Sequence, residues 1–187
     1  VVVLDAGRPF ALEPPPAGWR HRTFWRVSPM QLSFATKDGV PALRCETHAS
    51  GSIYGRYADI DVGRFPILNW RWLVEVPITS PRDERTREGD DHPVRFFLEF
   101  RNSEGGVHRM EIIWSNGAFK RGDWKIIGTF AHYVADGGTE NVGRWRDEKV
   151  DLLEVYRTFT KRTDTPRLTF LALFCDSDDT GGASIAY

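Results

Sequence analysis

The chain has 187 residues, a formal net charge of −1, and a hydrophobic content of 41%. This composition is typical of a globular domain and excludes a mainly disordered chain, and two cysteines are too few for a disulfide-rich scaffold. No apolar run approaches the ~18 residues of a membrane span, so no transmembrane segment is expected. The near-neutral charge gives no general attraction for nucleic acid, and we expect no such partner.

We interpret residues 1–187 as one domain, in which residues 1–14 form an N-terminal strand and a connector. The chain begins inside this expected strand without a methionine and ends inside another, so we expect both ends to be truncated. Cys45 and Cys175 form either one disulfide in an oxidising compartment or two buried thiols, and the sequence leaves both open. The run Trp19–Arg26 mixes arginine with aromatic residues, which we interpret as an exposed strand face.

Apolar and polar residues alternate along most of the chain, with the period of half-buried strands. Residues 94–101 and 107–114 alternate on either side of a glycine-rich turn, which predicts a hairpin. Residues 167–175 are apolar on both faces, as in a central strand covered on both sides. Further strands are expected at 30–36, 40–47, 53–61, 67–76, 124–130 and 144–150.

One short helix is predicted, and it begins after Asp151. Leu152, Val155, Tyr156 and Phe159 recur at helical spacing, and Asp151 is a suitable N-cap. Many short strands with one helix predict an all-β fold, namely an antiparallel jelly-roll β-sandwich, because an α/β sheet would need crossover helices.

The polar faces of the predicted strands suggest a ligand site between residues 69 and 114. We select Arg71, Arg95 and Glu99 as polar contacts, since guanidinium groups bind carboxylates bidentately. Phe97 and Trp114 are selected because aromatic rings stack on the CH faces of sugars. This set predicts a glycan or similar polar ligand bound on a sheet face, although the same charges also suit cross-strand ion pairs.

The sequence contains no complete catalytic constellation, and we expect a non-catalytic protein. Glu99 and Glu111 are the candidates for the alternative, a glycan-active hydrolase or lyase. Facing carboxylates on adjacent antiparallel strands are the arrangement that jelly-roll glycosidases use.

Two acidic segments, which contain Asp90, Asp91, Asp176, Asp178 and Asp179, suggest a calcium site. Carboxylates on alternate positions followed by glycine supply the hard oxygen ligands that Ca²⁺ prefers. An EF-hand is excluded because Tyr187 stands where a bidentate glutamate is needed. The alternative is that these carboxylates accept backbone N–H bonds or pair with arginine. No other cofactor is expected.

Five motifs occur in a characteristic order along the chain. They are Pro15-x-x-Gly18-Trp19, Asn69-Trp70-Arg71-Trp72-x-Val74-Glu75, Gly89-Asp90-Asp91-x-Pro93-x-Arg95, Trp145 before Val150-Asp151, and Asp176 to Ala183. In this order they resemble a bacterial family catalogued as domain of unknown function 3047. The resemblance spans Pro15 to Tyr187, although Asp179 stands where the family usually has Asn. It implies a fold like that of carbohydrate-binding modules and an extracytoplasmic location, periplasmic or secreted, but no activity.

Two hypotheses for the function follow. The first is a non-catalytic extracytoplasmic β-sandwich that binds a glycan or similar polar ligand. The second is an interaction or scaffolding subunit that docks on a larger envelope or membrane complex, because arginine, tryptophan and tyrosine are enriched at protein interfaces.

Overall fold

The structure is a computed structural model that describes residues 1–187. It consists of thirteen β-strands, one α-helix and two short 3₁₀ turns. The strands and the helix are β1 (Trp19–Thr23), β2 (Gln31–Lys37), β3 (Val40–His48), β4 (Gly51–Asp61), β5 (Ile67–Trp72), β6 (Val74–Val76), β7 (Arg95–Arg101), β8 (Val107–Ser115), β9 (Trp124–Ile127), β10 (Phe130–Gly137), β11 (Arg146–Asp151), α1 (Leu152–Thr160), β12 (Arg167–Asp176) and β13 (Ala183–Ala186).

The strands form three sheets. The largest has seven strands in the order β1-β4-β12-β7-β8-β10-β9, and a second has four in the order β2-β3-β13-β6, while β5 pairs with β11. All pairs are antiparallel except β8 with β10, which run parallel. The predicted all-β, sandwich-like architecture is confirmed, and this parallel pair departs from the expected purely antiparallel arrangement.

The main core lies between one face of the seven-stranded sheet and the two smaller sheets with the helix. Leu98 and Ile112 come from the large sheet, whereas Trp72 comes from β5 and Tyr156 from α1. A disulfide between Cys45 and Cys175 joins β3 to β12 across this core. The sandwich is therefore tied covalently as well as by apolar burial. The helix α1 has 9 residues, too few to span a membrane.

The best-patterned segments fold as predicted. Strands β7 and β8 form the expected hairpin, and β12 pairs on both sides, with β4 and with β7. The Asp151 carboxylate accepts hydrogen bonds from the N–H groups of Leu153 at 2.9 Å and Glu154 at 3.0 Å, and so caps α1. Such a cap satisfies N–H groups that have no partner within the helix.

Three expectations differ from the structure. The predicted strand 67–76 breaks at Leu73, whose N–H and carbonyl both bond to Tyr187. The predicted strand 124–130 is interrupted at Gly128, which has a positive φ of 61° and separates β9 from β10. Residues 1–14 form no strand. This segment has no strand partner, and it contacts the domain through a side chain: Arg56 donates a hydrogen bond of 2.9 Å to the Val3 carbonyl.

Candidate functional site

One side of the seven-stranded sheet faces away from the main core, and we call it the open face. Arg95, Phe97 and Glu99 alternate onto this side of β7, and Glu111 of β8 lies opposite Phe97. The intervening residues of β7 face the core, as Leu98 does. Three of the five predicted ligand contacts and both catalytic candidates, with Glu99 counted in each set, thus share a surface.

The other two predicted ligand contacts lie elsewhere. Trp114 alternates onto the core side of β8, where it is 1% exposed and packs against Trp72. Because it is buried, its ring has no face left for a ligand. The prediction was wrong because the alternation of a strand does not show which of its sides faces the core. Arg71 belongs to β5 in the two-stranded sheet, and its Nε donates to Asp147 at 2.9 Å.

A small aromatic cluster covers the middle of the open face. Phe97 and Phe170 are buried in it, and Tyr57 packs on Phe170 with 5.1 Å between ring centroids while remaining 52% exposed. Gly55 pairs with Ala172 beside them, and a Cβ on Gly55 would lie 2.2 Å from the Ala172 Cβ. Both small residues are buried, so the part of this cluster that reaches solvent is the ring of Tyr57.

Arginines from the edge strand β1 extend over this surface. The Arg22 side chain is exposed, and its guanidinium carbon lies 5.7 Å from the ring centroid of Phe97, three strands into the sheet. Arg20 donates a hydrogen bond of 3.1 Å to the Tyr57 hydroxyl. The guanidinium of Arg22 packs on an aromatic ring rather than pairing with a carboxylate, so its N–H groups are available to an acidic ligand.

One end of the open face carries a group of buried ionisable side chains, which we call the ionic cluster. Arg95 is 3% exposed, its Nη1 lies 2.9 Å from Glu111 Oε2, and its Nη2 pairs with Asp176. These contacts and the other carboxylates raise the pKa of Arg95 against the effect of burial. The members of the ionic cluster are Asp90, His92, Arg95, Glu111, Lys125 and His132.

Lys125 connects two members of the ionic cluster. Its Nζ lies 2.5 Å from Asp90 Oδ1 and 3.0 Å from His92 Nε2. Burial opposes the ionisation of Asp90, but contact with His92 and the charges of Arg95 and Lys125 hold its pKa well below the ordinary value. Asp90 is therefore an internal counter-ion for the lysine.

The two histidines of the cluster have different hydrogen-bonding roles. Burial, together with the charge of Lys125, lowers the pKa of His92 to about 3. The neutral ring donates from Nδ1 to the Trp114 carbonyl at 2.8 Å and accepts from Lys125 at Nε2. His132 places Nδ1 3.2 Å from the Lys125 carbonyl and Nε2 3.1 Å from Glu111 Oε2. His92 thus orients the lysine, and His132 faces two acceptors.

The two catalytic candidates are both engaged by arginine. Glu99 Oε2 accepts from Arg109 Nε at 2.9 Å, and Glu111 pairs with Arg95. Each pair crosses from one strand of the β7–β8 hairpin to the other. This is the arrangement that the cross-strand ion-pair interpretation describes.

The five predicted calcium ligands are divided. Carboxylate oxygens of Asp91, Asp176 and Asp178 lie within 4.8 Å of one another, whereas Asp90 turns toward Lys125 and Asp179 is exposed. Burial, and the charge of Asp91, raise the pKa values of Asp176 and Asp178. Three of the five residues are therefore close enough to share a ligand.

Protein donors already reach two of these carboxylates. Asp91 accepts from the N–H groups of Asp179 at 3.2 Å and Thr180 at 2.6 Å. Asp176 accepts from the N–H of His92 at 3.0 Å and pairs with Arg95. Such contacts with backbone N–H groups and arginine are the alternative to a calcium site that the sequence left open.

The sequence patterns did not single out Lys125, His132 or Arg22 as site residues. Lys125 carries a signal, because it is a lysine inside the apolar run Trp124–Ile127 and must be paired if that strand is buried. His132 lies in a similar run, Ala131–Val134. Both signals become specific only when the strand order places His132 between Glu111 and Lys125.

An apolar cleft of about 720 Å³ lies between the sheets, away from the open face. Trp70, Trp72 and Phe96 line it, and residues 1–7 form part of its boundary. Of the predicted site residues, it contains only Arg71.

Comparison with known proteins identifies a family. No curated protein matches the chain. A family model described as "Protein of unknown function (DUF3047)" matches residues 17–122 and 112–187, which together cover most of the sequence. The chain therefore belongs to the DUF3047 family.

Proposed function

We propose that this domain is a non-catalytic extracytoplasmic binding module that holds an acidic glycan, or a similar polar ligand, on the open face of its seven-stranded sheet. The carboxylate of the ligand pairs with arginine, and one sugar ring packs on the exposed ring of Tyr57. Aromatic rings and planar polar groups are the two kinds of contact that sugar binding needs.

The observation that carries this proposal is the position of Arg22. Its exposed guanidinium extends across the sheet to Phe97, and Arg20 fixes the exposed Tyr57 ring nearby. An exposed arginine on an aromatic face combines a charge for the ligand with a preorganised geometry.

The disulfide supports the proposed location. Disulfides persist mainly in oxidising compartments such as the periplasm and the cell exterior. The Cys45–Cys175 bond therefore agrees with an extracytoplasmic protein, as the family resemblance implies.

Binding is tested with an array of uronate-containing and neutral oligosaccharides, followed by calorimetry on the best ligand. We expect uronate-containing members to bind and Arg22→Gln to weaken binding by about tenfold, the effect of one lost charge-assisted hydrogen bond. Arg64→Gln is the matched control, because Arg64 is also exposed and packs on an aromatic ring, Phe65, at 5.2 Å. Absence of binding to every array member, or equal loss in both variants, contradicts the proposal.

A second candidate function, the interaction subunit, is favoured by one surface residue. Trp25 is 81% exposed and stacks with Arg26, whose guanidinium carbon is 4.0 Å from the ring centroid. Tryptophan and arginine are the residue types that dominate binding energy at interfaces. Pull-down from an envelope extract with the wild type and with Trp25→Ala tests it. A partner held by the wild type and lost in the variant supports docking, whereas no difference between the two argues against it.

A further inference from the structure

The ionic cluster is built from two kinds of structure. Strands β7, β9 and β10 supply Arg95, Lys125 and His132, whose side chains are 3%, 1% and 2% exposed. The loop before β7 supplies Asp90, whose side chain is 18% exposed. Glu111 of β8 lies between two of these side chains, with its Oε2 2.9 Å from Arg95 Nη1 and 3.1 Å from His132 Nε2. The strands thus form a pocket lined mainly by nitrogen atoms, and the loop inserts a carboxylate that still reaches solvent.

The Asp90 carboxylate fills this pocket, but it does not form a directed hydrogen bond with every donor there. Its Oδ1 lies 2.5 Å from Lys125 Nζ and 3.5 Å from His92 Nε2. The other two nitrogens are farther away, His132 Nε2 at 3.7 Å and Arg95 Nη1 at 3.8 Å. The same oxygen is buried and makes no well-directed hydrogen bond, and Arg95 Nε makes none either. Buried polar groups normally have directed partners, so the fit between the loop carboxylate and the pocket is incomplete.

The neighbouring backbone is fixed on one side of Asp90. The Asp91 side chain is held by two backbone N–H groups, and His92 is completely buried. On the other side, the 3₁₀ turn Arg87–Gly89 leads to the exposed residues 85–88. Release of the Asp90 carboxylate would therefore involve rotation of its own side chain, since Asp91 and His92 are held in place.

We propose that Arg95, Lys125 and His132 form a binding pocket for a carboxylate anion, that Asp90 fills this pocket as an internal ligand, and that a small external carboxylate binds there when the Asp90 side chain is absent or rotated out. Buried cations favour a carboxylate because water no longer competes for them. The internal ligand lowers the apparent affinity of the wild type, since an external anion binds only the fraction of molecules in which the pocket is open. This inference does not depend on the glycan proposal.

The test uses sodium acetate at pH 7, with sodium chloride keeping the ionic strength constant. In Asp90→Ala, we expect acetate to raise the thermal midpoint in a saturable way and to bind at least tenfold more tightly than in the wild type. Asp90→Asn is the matched control, because its amide fills the same space and leaves no room for acetate. Adding Lys125→Met to Asp90→Ala should abolish the acetate effect.

Equal acetate dependence in the wild type, Asp90→Ala and Asp90→Asn overturns the proposal, as does a folded Asp90→Ala that does not respond to acetate. If Asp90→Ala does not fold in chloride, its refolding yield is compared in acetate and in chloride, and Asp90→Ser is studied in parallel. A higher yield in acetate supports the pocket. Equal yields, together with an unresponsive Asp90→Ser, overturn it.

Discussion

Arg95 and Asp176 form an ion pair between neighbouring strands, β7 and β12, with both side chains almost completely buried. The guanidinium carbon of Arg95 also lies 3.8 Å from the ring centroid of Phe174, and its Nη1 pairs with Glu111. One arginine therefore joins three strands of the large sheet on its open face. This pair is also where the acidic turn that follows β12 meets the ionic cluster.

Replacing Arg95 should be strongly destabilising. Arg95→Met leaves Glu111 and Asp176 buried without their cation, and we expect a loss of about 3–5 kcal/mol in the free energy of unfolding, measured with urea. Arg71→Met is the control, because Arg71 forms an exposed pair with Asp147 and should cost less than about 1 kcal/mol. Similar losses in the two variants would show that the buried pair has no special role.

The disulfide should contribute much of the stability. It links residues 130 positions apart, so its removal frees a long loop in the unfolded chain. Replacing Cys45 and Cys175 together by alanine should lower the free energy of unfolding by about 2–5 kcal/mol. Dithiothreitol should have the same effect on the wild type and none on the double variant. A wild type that is insensitive to the reductant would contradict this prediction.

His92 should make stability depend on pH. In the folded protein its pKa is lowered to about 3, whereas a histidine in the unfolded chain titrates near about 6.5. Between these values the unfolded chain binds the additional proton, so the free energy of unfolding falls as the pH drops through this window. The slope from this residue is at most about 1.4 kcal/mol per pH unit.

Urea unfolding between pH 4 and pH 7 measures the histidine effect. His92→Gln should be less stable than the wild type at pH 7 and should have a shallower slope with pH. His48→Gln serves as the control, because the His48 side chain is 65% exposed. If His92→Gln keeps the slope of the wild type, the pH dependence comes from other groups.

Calcium should have little effect on the folded protein. Backbone N–H groups and Arg95 already occupy oxygens of Asp91 and Asp176, and only Asp178 of that group is free of such donors. We expect the thermal midpoint to be the same within error in calcium and in EDTA. A saturable rise with calcium that Asp178→Asn removes would instead establish a metal site.

The local pattern predicted most of the strands. The alternation in β7 and β8, the two-sided apolar run of β12 and the cap at Asp151 are local features, and each agrees with the structure. Breaks within apparently continuous runs were not predicted. The interruption at Leu73 depends on hydrogen bonds to Tyr187, which is distant in sequence.

The candidate site was predicted less completely. Alternation correctly placed Arg95, Phe97 and Glu99 on one side of a strand, but it could not identify which side faced the core. The sequence therefore favours Trp114, which is buried, and does not indicate Arg22, which reaches Phe97. Contacts between β1 and β7 depend on strand order, which no local pattern contains.

The sequence by itself determined an aromatic-rich, nearly neutral all-β domain with one capped helix, because these properties depend on composition and on neighbours in the chain. Only the tertiary structure decided that Asp90 faces Lys125, that Cys45 bonds to Cys175, and that Arg95 is buried among carboxylates. Residues far apart in sequence make these contacts, and sheet order, including the parallel β8–β10 pair, brings them together. The many arginines, which composition shows only as a number, thus divide into buried ion pairs and exposed groups such as Arg22.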